Sequence, residues 1–332
     1  MDYEELKNIY RLGFPEDGEK YIDYFFSEKI KDAKIFCCRQ DGRIISAAYI
    51  FDKKLRLYGG DITLPFLVAA ATLPEYRGQK FFGKVMNEIF LKYKESPFIA
   101  LYPFKHSYYS SAFGFTNYNY LRKRNFSVFA DKLPQGMSAK RASGADDFKI
   151  IYDIYSSYTL GFDSYIVREL ADFQKKADEL SSDGGGAVII ADKSGAPVGY
   201  IYHDGGGMSE EYCFKDAALY ARFTGAELSK PAAMIRVINS GEALKMIKWK
   251  DGEFTVGVDD GFSVTNGRLY RVKTLNGRTA VSESSASNAS APDCVLDTSV
   301  LADIIFDRRN VKKMPAQVLP APALRTLCLD VY

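Results

Sequence analysis

Histidine, cysteine and long apolar runs are scarce in this 332-residue chain. It has two histidines and five cysteines, none in a C-x-x-C pair, so we expect no metal centre, no disulfide framework and a cytoplasmic protein with reduced thiols. No apolar window of about 18 residues is present, and no membrane span is predicted. The formal net charge of only +2 makes nucleic acid an unfavoured partner.

One stretch, residues 70–93, combines the end of an apolar strand, a basic turn and an amphipathic helix. The apolar run 64–71 is short enough for a buried strand, and Pro74 ends it. The turn 77–80 follows. Apolar residues then recur at helical spacing, at Phe82, Val85, Met86, Ile89, Phe90 and Tyr93. This order favours an anion site for phosphate, although an ordinary strand–loop–helix joint with surface charge has the same pattern.

The residues around the turn resemble the acetyl-CoA motif of the GNAT N-acetyltransferases. The matching pattern is Thr72-x-Pro74-x-x-Arg77-Gly78-x-x-Phe81. The resemblance implies that acetyl-CoA is the acyl donor. It also implies that backbone groups of Ala70 and Thr72 bind the pantetheine arm, and that amides from Arg77 to Phe81 bind the pyrophosphate.

The turn departs from the family pattern at Lys80, where the family usually has glycine. Only glycine adopts positive φ without cost, so we expect a reshaped turn. Lys80 then either adds a positive charge beside the pyrophosphate or weakens the cofactor site. The neighbouring residues Gln79 and Phe81 are expected to contribute amides to the same site.

The pattern over residues 1–130 predicts an α/β sandwich on a mixed sheet. The predicted helices and strands, in order, are helices at 2–10 and 20–30, strands at 34–39, 44–51, 55–58 and 64–71, the central helix, and a strand at 97–101. Turns are expected at 41–42 and 53–54. This is the GNAT order of elements. In that fold two neighbouring strands splay to admit the pantetheine arm, here the strands that end near Thr72 and Leu101.

The segment 102–115 resembles the tail motif of one GNAT clade, the enhanced-intracellular-survival (Eis-like) acetyltransferases. The resemblance is carried by Tyr102-Pro103-Phe104, Tyr109 and Phe113-Gly114-Phe115. In that clade, the tyrosine three places before Phe-Gly is the general acid that reprotonates the CoA thiolate. Ser110 occupies that place here. We expect Tyr109 to take the role, with Tyr108 and Ser110 as alternatives and a packing role for both tyrosines also open.

Two further segments follow the order of domains in the Eis-like family. Residues 131–228 begin with a linker-like stretch, then show helices at 146–155 and 167–180 and a hairpin at 187–203, which we interpret as a truncated, degenerate GNAT-like unit without a cofactor site. Residues 229–332 show a helix, strands separated by Asn-Gly turns, and a helix that starts at Asp297 or Thr298. Their layout resembles an α+β sterol-carrier-like domain.

The last residues, 327–332, are apolar, which suggests that they dock. In Eis-like enzymes, the C-terminal carboxylate takes the proton from the substrate amine, and by position Tyr332 supplies it here. The alternative is a final strand of the third domain's sheet.

The resemblance implies a function for the whole chain. We expect an N-acetyltransferase that moves acetyl from acetyl-CoA to a primary amine by direct attack. The acceptor would be a polyamine-like small molecule or a lysine side chain, and the protein would be a homo-oligomer, a hexamer by family resemblance. The alternative is a non-catalytic acyl-CoA- or lipid-binding protein, or a scaffold, that keeps the GNAT fold.

Overall fold

The computed structural model describes residues 2–117, 120–121, 133, 135–216, 219, 230–262, 266–284, 291–306, 315–318 and 326–327. Two sequence predictions, the base at Tyr332 and most of a short helix expected over 216–223, lie outside the described residues. Across the described ranges, no helix is both long enough and apolar enough to span a membrane.

The described residues form eight α-helices and eighteen strands. The helices are α1 (Tyr3–Gly13), α2 (Glu19–Ser27), α3 (Phe81–Lys92), α4 (His106–Phe113), α5 (Ala145–Thr159), α6 (Leu170–Ser182), α7 (Ser240–Leu244) and α8 (Thr298–Phe306). The strands are β1 (Lys34–Gln40), β2 (Arg43–Leu57), β3 (Gly60–Thr72), β4 (Phe98–Leu101), β5 (Thr116–Asn117), β6 (Tyr120–Leu121), β7 (Ser138–Arg141), β8 (Ser164–Val167), β9 (Gly186–Ala191), β10 (Pro197–His203), β11 (Ser209–Phe214), β12 (Lys230–Pro231), β13 (Met234–Val237), β14 (Gly252–Asp259), β15 (Leu269–Leu275), β16 (Arg278–Glu283), β17 (Cys294–Asp297) and β18 (Thr326–Leu327).

The largest sheet is mixed, as predicted. Its strand order is β18-β8-β2-β3-β4-β13-β5, and β1 pairs with the first half of β2. The pairs β3–β4 and β18–β8 are parallel, and the other pairs are antiparallel. Two four-stranded sheets, β11-β10-β9-β7 and β16-β15-β14-β17, belong to the middle and C-terminal segments.

Strand β2 corrects one prediction. The sequence predicted strands at 44–51 and 55–58 with a turn at 53–54, but residues 43–57 form one continuous strand. The ladder continues because β8 pairs with Lys54–Leu57 where β1 no longer reaches, while β3 pairs with β2 on its other side. The turn instead lies at Tyr58-Gly59, where both residues have positive φ.

The helix boundaries of the middle segment also differ from the prediction. Helix α6 starts at Leu170, directly after a capping box formed by Glu169 and Asp172, and Val167 belongs to strand β8.

In the C-terminal segment, the predicted N-cap of α8 is confirmed, because the Asp297 carboxylate accepts from the amides of Ser299 and Val300 at 2.7 and 2.9 Å. Strands β7, β11 and β13 were not predicted.

Side chains of the main sheet alternate between two cores. On one face, Ile50, Leu67 and Ile99 pack against α3. On the other face, α1 and α2 cover one part of the sheet and the C-terminal region covers the rest, with the ring centroids of Phe98 and Phe306 4.9 Å apart. The C-terminal region therefore packs directly on the main sheet.

The main sheet takes strands from all three predicted segments. Strand β8 comes from residues 131–228, whereas β13 and β18 come from residues 229–332. Strand β13 lies between β4 and β5, so the first segment's own sheet is completed by a strand more than 100 residues further along the chain. The division of the chain into domains at about 130 and 228 stays a prediction.

Candidate active site

A gap opens between strands β3 and β4. The two strands pair in parallel only at Phe66 with Ala100 and at Leu67 with Leu101. Strand β4 ends there, whereas β3 continues to Thr72. Residues 68–72 of β3 therefore have no ladder partner on this side among the described residues. Backbone N–H and C=O groups on such an edge are open to pairing with an extended ligand. The gap lies where the sequence predicted the splay.

A β-bulge lies at the start of this free edge. Ala47 is opposite Ala71 and Tyr49 is opposite Val68, so Ala69 and Ala70 together face one residue of β2. Ala69 has φ +51, a left-handed conformation that costs a non-glycine residue about 1–2 kcal/mol. Bulges re-aim backbone groups and are common beside active sites. Sequence reasoning missed this bulge; the run of three small alanines, 69–71, is the signal that was available.

The turn after β3 presents free backbone donors. The amides of residues 78–83 donate to no acceptor in the described part of the chain. Three of them belong to the first turn of α3, whose positive dipole end points the same way. Such a set of amides is suited to the pyrophosphate of a nucleotide cofactor. The amide of Arg77, which was predicted to belong to the set, instead donates to the carbonyl of Pro74 at 3.2 Å.

Arg77 uses its side chain to join α1 to the end of β3. Its guanidinium donates to the carbonyls of Thr72 and Leu12, both at 3.1 Å. Gly13 lies against Ala71, and a Cβ at Gly13 would be 2.6 Å from the Ala71 Cβ. The Arg77 side chain therefore holds α1 against the end of β3, and it also contributes a positive charge to the turn.

Lys80 keeps the conformation that glycine would adopt. It is the N-cap residue of α3, with φ +64 and ψ +15. The left-handed conformation is therefore kept at this position, and the backbone strain is carried by the lysine. Gln79 stabilises the same turn, because its side-chain amide donates to the Glu75 carbonyl at 3.0 Å. The Phe81 ring packs against Tyr76, with centroids 5.8 Å apart.

Helix α4 brings two tyrosines against the first turn of α3. The Phe82 ring lies 6.5 Å from that of Tyr108 and 6.3 Å from that of Tyr109, centroid to centroid. Tyr109 is 7% exposed and Tyr108 is 44% exposed. Burial raises the pKa of both phenols further above neutral pH, where a tyrosine is already protonated. Ser110 is exposed, and its hydroxyl donates to the Ser107 carbonyl.

The structure brings most of the predicted site residues together. Ala70, Thr72 and the 77–81 turn surround the gap between β3 and β4, and Tyr109 belongs to the core beneath it, on the α3 face. Tyr332 lies outside the described residues. In the described part of the chain, no three His, Cys, Asp or Glu side chains are grouped as metal ligands.

A separate cleft of about 610 Å³ lies between α2 and α6. It is lined by charged side chains of both signs, including Lys29, Arg168, Lys176 and Glu179. None of its lining residues belongs to the β3–β4 gap or to the 77–81 turn. The free amides and the open strand edge lie at the gap and not at this cleft.

Comparisons with known proteins bear on the fold and on the domain that contains the gap. Residues 1–117 match the family model described as an acetyltransferase (GNAT) domain. No curated protein matches the sequence. The GCN5-related N-acetyltransferase from Anabaena variabilis ATCC 29413 has 15% identity and a TM-score of 0.69, covering 99% of this chain and 97% of its own. The one from Kribbella flavida has 13% identity and a TM-score of 0.69, with coverage of 99% and 96%. Eis1 from Mycobacterium abscessus has 11% identity and a TM-score of 0.67, with coverage of 99% and 97%.

These likenesses establish the fold of the chain, which is the GNAT fold extended by further segments. The chain carries a GNAT acetyltransferase domain and is an acetyltransferase by virtue of that domain. Its acyl donor is acetyl-CoA, and enzymes of this type act on amines. Eis1 is among the proteins with a similar fold over nearly the full chain, whereas a sterol-carrier-like C-terminal domain stays a prediction.

Proposed function

We propose that the protein transfers acetyl from acetyl-CoA to a primary amine by direct attack, with polyamine-like small molecules and lysine side chains as the acceptor classes. The observation that carries this proposal is the adjacency of three features. The free edge of β3, the unpaired amides of residues 78–83 and the two tyrosines of α4 all adjoin the N-terminal end of α3.

The donor would lie along the gap. The amides of residues 78–81 would bind the pyrophosphate, and Lys80 would add a charge beside it. The pantetheine arm would pair with backbone groups of Ala70 and Thr72 on the free edge of β3. The thioester would then lie near the bulge, beside the first turn of α3.

The proposed reaction needs three groups. An amine is protonated at pH 7, so a base must first remove its proton. The free amine attacks the thioester carbonyl, and a backbone N–H between the bulge and Thr72 would stabilise the oxyanion. The C–S bond then breaks, and the leaving thiolate takes a proton from Tyr109. The phenol of Tyr109 is protonated at neutral pH and is therefore able to donate, although burial raises its pKa and makes it a weaker acid.

Replacing the tyrosines tests the acid. Tyr109→Phe removes only the hydroxyl, and we expect kcat to fall by about 100-fold while the KM for acetyl-CoA stays within about twofold. Tyr108→Phe is the matched control on the same helix turn and should keep most of the activity. The opposite ranking would assign the acid role to the more exposed Tyr108.

The base rests on the sequence resemblance alone. A variant without Tyr332 is expected to have a lower kcat and an unchanged dissociation constant for acetyl-CoA. Full activity of that variant would refute the base assignment.

Calorimetric titration with acetyl-CoA, with CoA as control, tests the proposal as a whole. We expect micromolar binding at one site per chain, followed by acetylation of spermidine or of a lysine-containing peptide in an amine screen. An absence of binding at millimolar acetyl-CoA would mean that the fold is kept without its donor site. Tight binding without acetylation of any amine would favour the non-catalytic acyl-CoA-binding alternative.

A further inference from the structure

A buried ion pair beneath the last turn of α4 connects that helix to the C-terminal region. Arg236 of β13 has a side chain that is 1% exposed, and Asp260, which follows β14, is 0% exposed. Nη2 of Arg236 donates to both carboxylate oxygens of Asp260, at 3.1 and 2.9 Å. Nη1 donates to the carbonyl of Phe113, the last residue of α4. One guanidinium thus links α4 to a loop about 150 residues away.

Gly114 makes this close approach possible. It follows α4 with φ +68, and its amide donates to the Ser110 carbonyl at 3.0 Å. The next amide, that of Phe115, donates to the Tyr109 carbonyl at 3.3 Å, so the helix ends in a glycine cap. A Cβ at Gly114 would lie 2.5 Å from Nη1 of Arg236. The glycine of the Phe-Gly-Phe motif therefore supplies both the conformation and the space that the guanidinium needs.

Asp260 is held in place on the C-terminal side. Its carboxylate accepts from the amide of Phe262 at 3.0 Å and from the side-chain amide of Asn266 at 2.9 Å. Asn266 in turn accepts from the amide of Ser240 at 2.8 Å and donates to the carbonyl of Val237 in β13. The position of the carboxylate is therefore set by several buried hydrogen bonds.

Stability alone does not account for this pair. Buried ion pairs are often no more stabilising than apolar groups of the same volume. Burial lowers the pKa of Arg236, which reflects the desolvation of its charge. Its Nε has no hydrogen-bond partner in the described residues, which adds a further cost. What the guanidinium provides is geometry, because its planar fork fixes several directions at once and lies over the rings of Phe90 and Phe262 at 5.1 and 5.6 Å.

We propose that Arg236 and Asp260 are positioning residues for the proton donor of α4, Tyr109; this rests on the function proposed above. Tyr109 lies one helical turn before Phe113, so a shift of the C-terminal end of α4 moves its side chain. A displacement of about 1 Å at a reacting group costs roughly 100-fold in rate. The C-terminal region would then help to fix the geometry of the acetyltransferase site.

Arg236→Lys tests the proposal, because lysine keeps the charge but cannot reach Asp260 and Phe113 with a planar fork. With acetyl-CoA as donor and spermidine as acceptor, we expect kcat to fall about 10- to 100-fold and the KM for acetyl-CoA to stay within about twofold. The matched control is Arg168→Lys, in the equally buried Arg168–Glu211 pair of the middle segment. It should leave kcat unchanged. Equal losses in the two variants would overturn the positioning role.

A double-mutant cycle separates this proposal from the proposed function. In a Tyr109→Phe background, Arg236→Lys should have little further effect on kcat, because its partner in the reaction is already lost. Losses that multiply would show that Arg236 acts elsewhere. Full activity of Tyr109→Phe would overturn the acid assignment itself. If kcat falls in Tyr109→Phe but is unchanged in Arg236→Lys, only the positioning role is overturned.

Hydrogen exchange gives a readout that needs no acceptor. With CoA added, the amides of residues 109–115 should exchange about tenfold faster or more in Arg236→Lys than in the parent or in Arg168→Lys. The isosteric variant Asp260→Asn should shift the same amides in the same direction, which covers the case of an Arg236 variant that folds poorly. Unchanged exchange in this segment would refute the proposal.

Discussion

Gly114→Ala tests how closely the Arg236 side chain approaches the end of α4. Gly114 has φ +68, and an added Cβ would lie 2.5 Å from Nη1 of Arg236 and 2.6 Å from the Phe262 ring. Two costs are therefore expected, a left-handed conformation of about 1–2 kcal/mol and overpacking of about 1–3 kcal/mol. Gly42→Ala is the control, because Gly42 has φ +82 with no atom within 4 Å of the added Cβ. The difference between the two variants isolates the overpacking.

Unfolding in urea measures that difference. Trp249 is the single tryptophan, and it is 1% exposed in the core that joins the main sheet to the C-terminal region, so its fluorescence reports unfolding at this junction. We expect the midpoint of Gly114→Ala to lie below that of Gly42→Ala by about 0.3–1 M urea. Equal midpoints would show that the guanidinium does not occupy the space beside Gly114. Recovery of the midpoint in Gly114→Ala with Phe262→Ala would assign part of the overpacking to that ring.

Three further outcomes follow from the site and its supports. Lys80→Gly should raise the free energy of unfolding by up to about 1 kcal/mol, since it removes the left-handed strain, without tightening acetyl-CoA binding. Gly13→Ala should weaken both stability and acetyl-CoA affinity, because the new Cβ would force α1 away from Ala71. Burial lowers the pKa of Lys29 to about 8, although Glu179 beside it acts in the opposite direction. Between pH 8 and about 10 the unfolded chain therefore binds more protons than the folded one, and stability should rise over this window by at most about 1.4 kcal/mol per pH unit.

Each of these outcomes has a control. Lys80→Ala loses the same charge but keeps the left-handed strain, so equal stability of the two Lys80 variants would contradict the strain argument. Lys29→Met should abolish the rise in stability above pH 8, and an identical pH dependence in parent and variant would refute the assignment to Lys29. Unchanged acetyl-CoA affinity in Gly13→Ala would show that α1 does not order the donor site.

Local patterns in the sequence predicted the elements that depend on near neighbours. The helical stripe of α3 is confirmed, with Val85, Met86 and Ile89 buried, because its period is a property of the helix itself. The Asp41-Gly42 turn is confirmed with positive φ at both residues, which these residue types tolerate. The motif around Arg77 and Gly78 pointed to the turn that presents free backbone amides for the same reason, since its strand, turn and helix are contiguous.

Only the tertiary structure decided what depends on distant partners. Strand β2 runs through Lys53 and Lys54 because β8, from the middle segment, extends its ladder. Strand β13 enters the sheet between β4 and β5 from far along the chain, which no local pattern reveals because strand pairing depends on packing. The left-handed Lys80 is likewise held by the surrounding fold. The sequence by itself determined the chemical groups of the 77–81 turn. The tertiary structure decided which distant segment contacts α4, because Arg236 bonds both to the end of α4 and to Asp260.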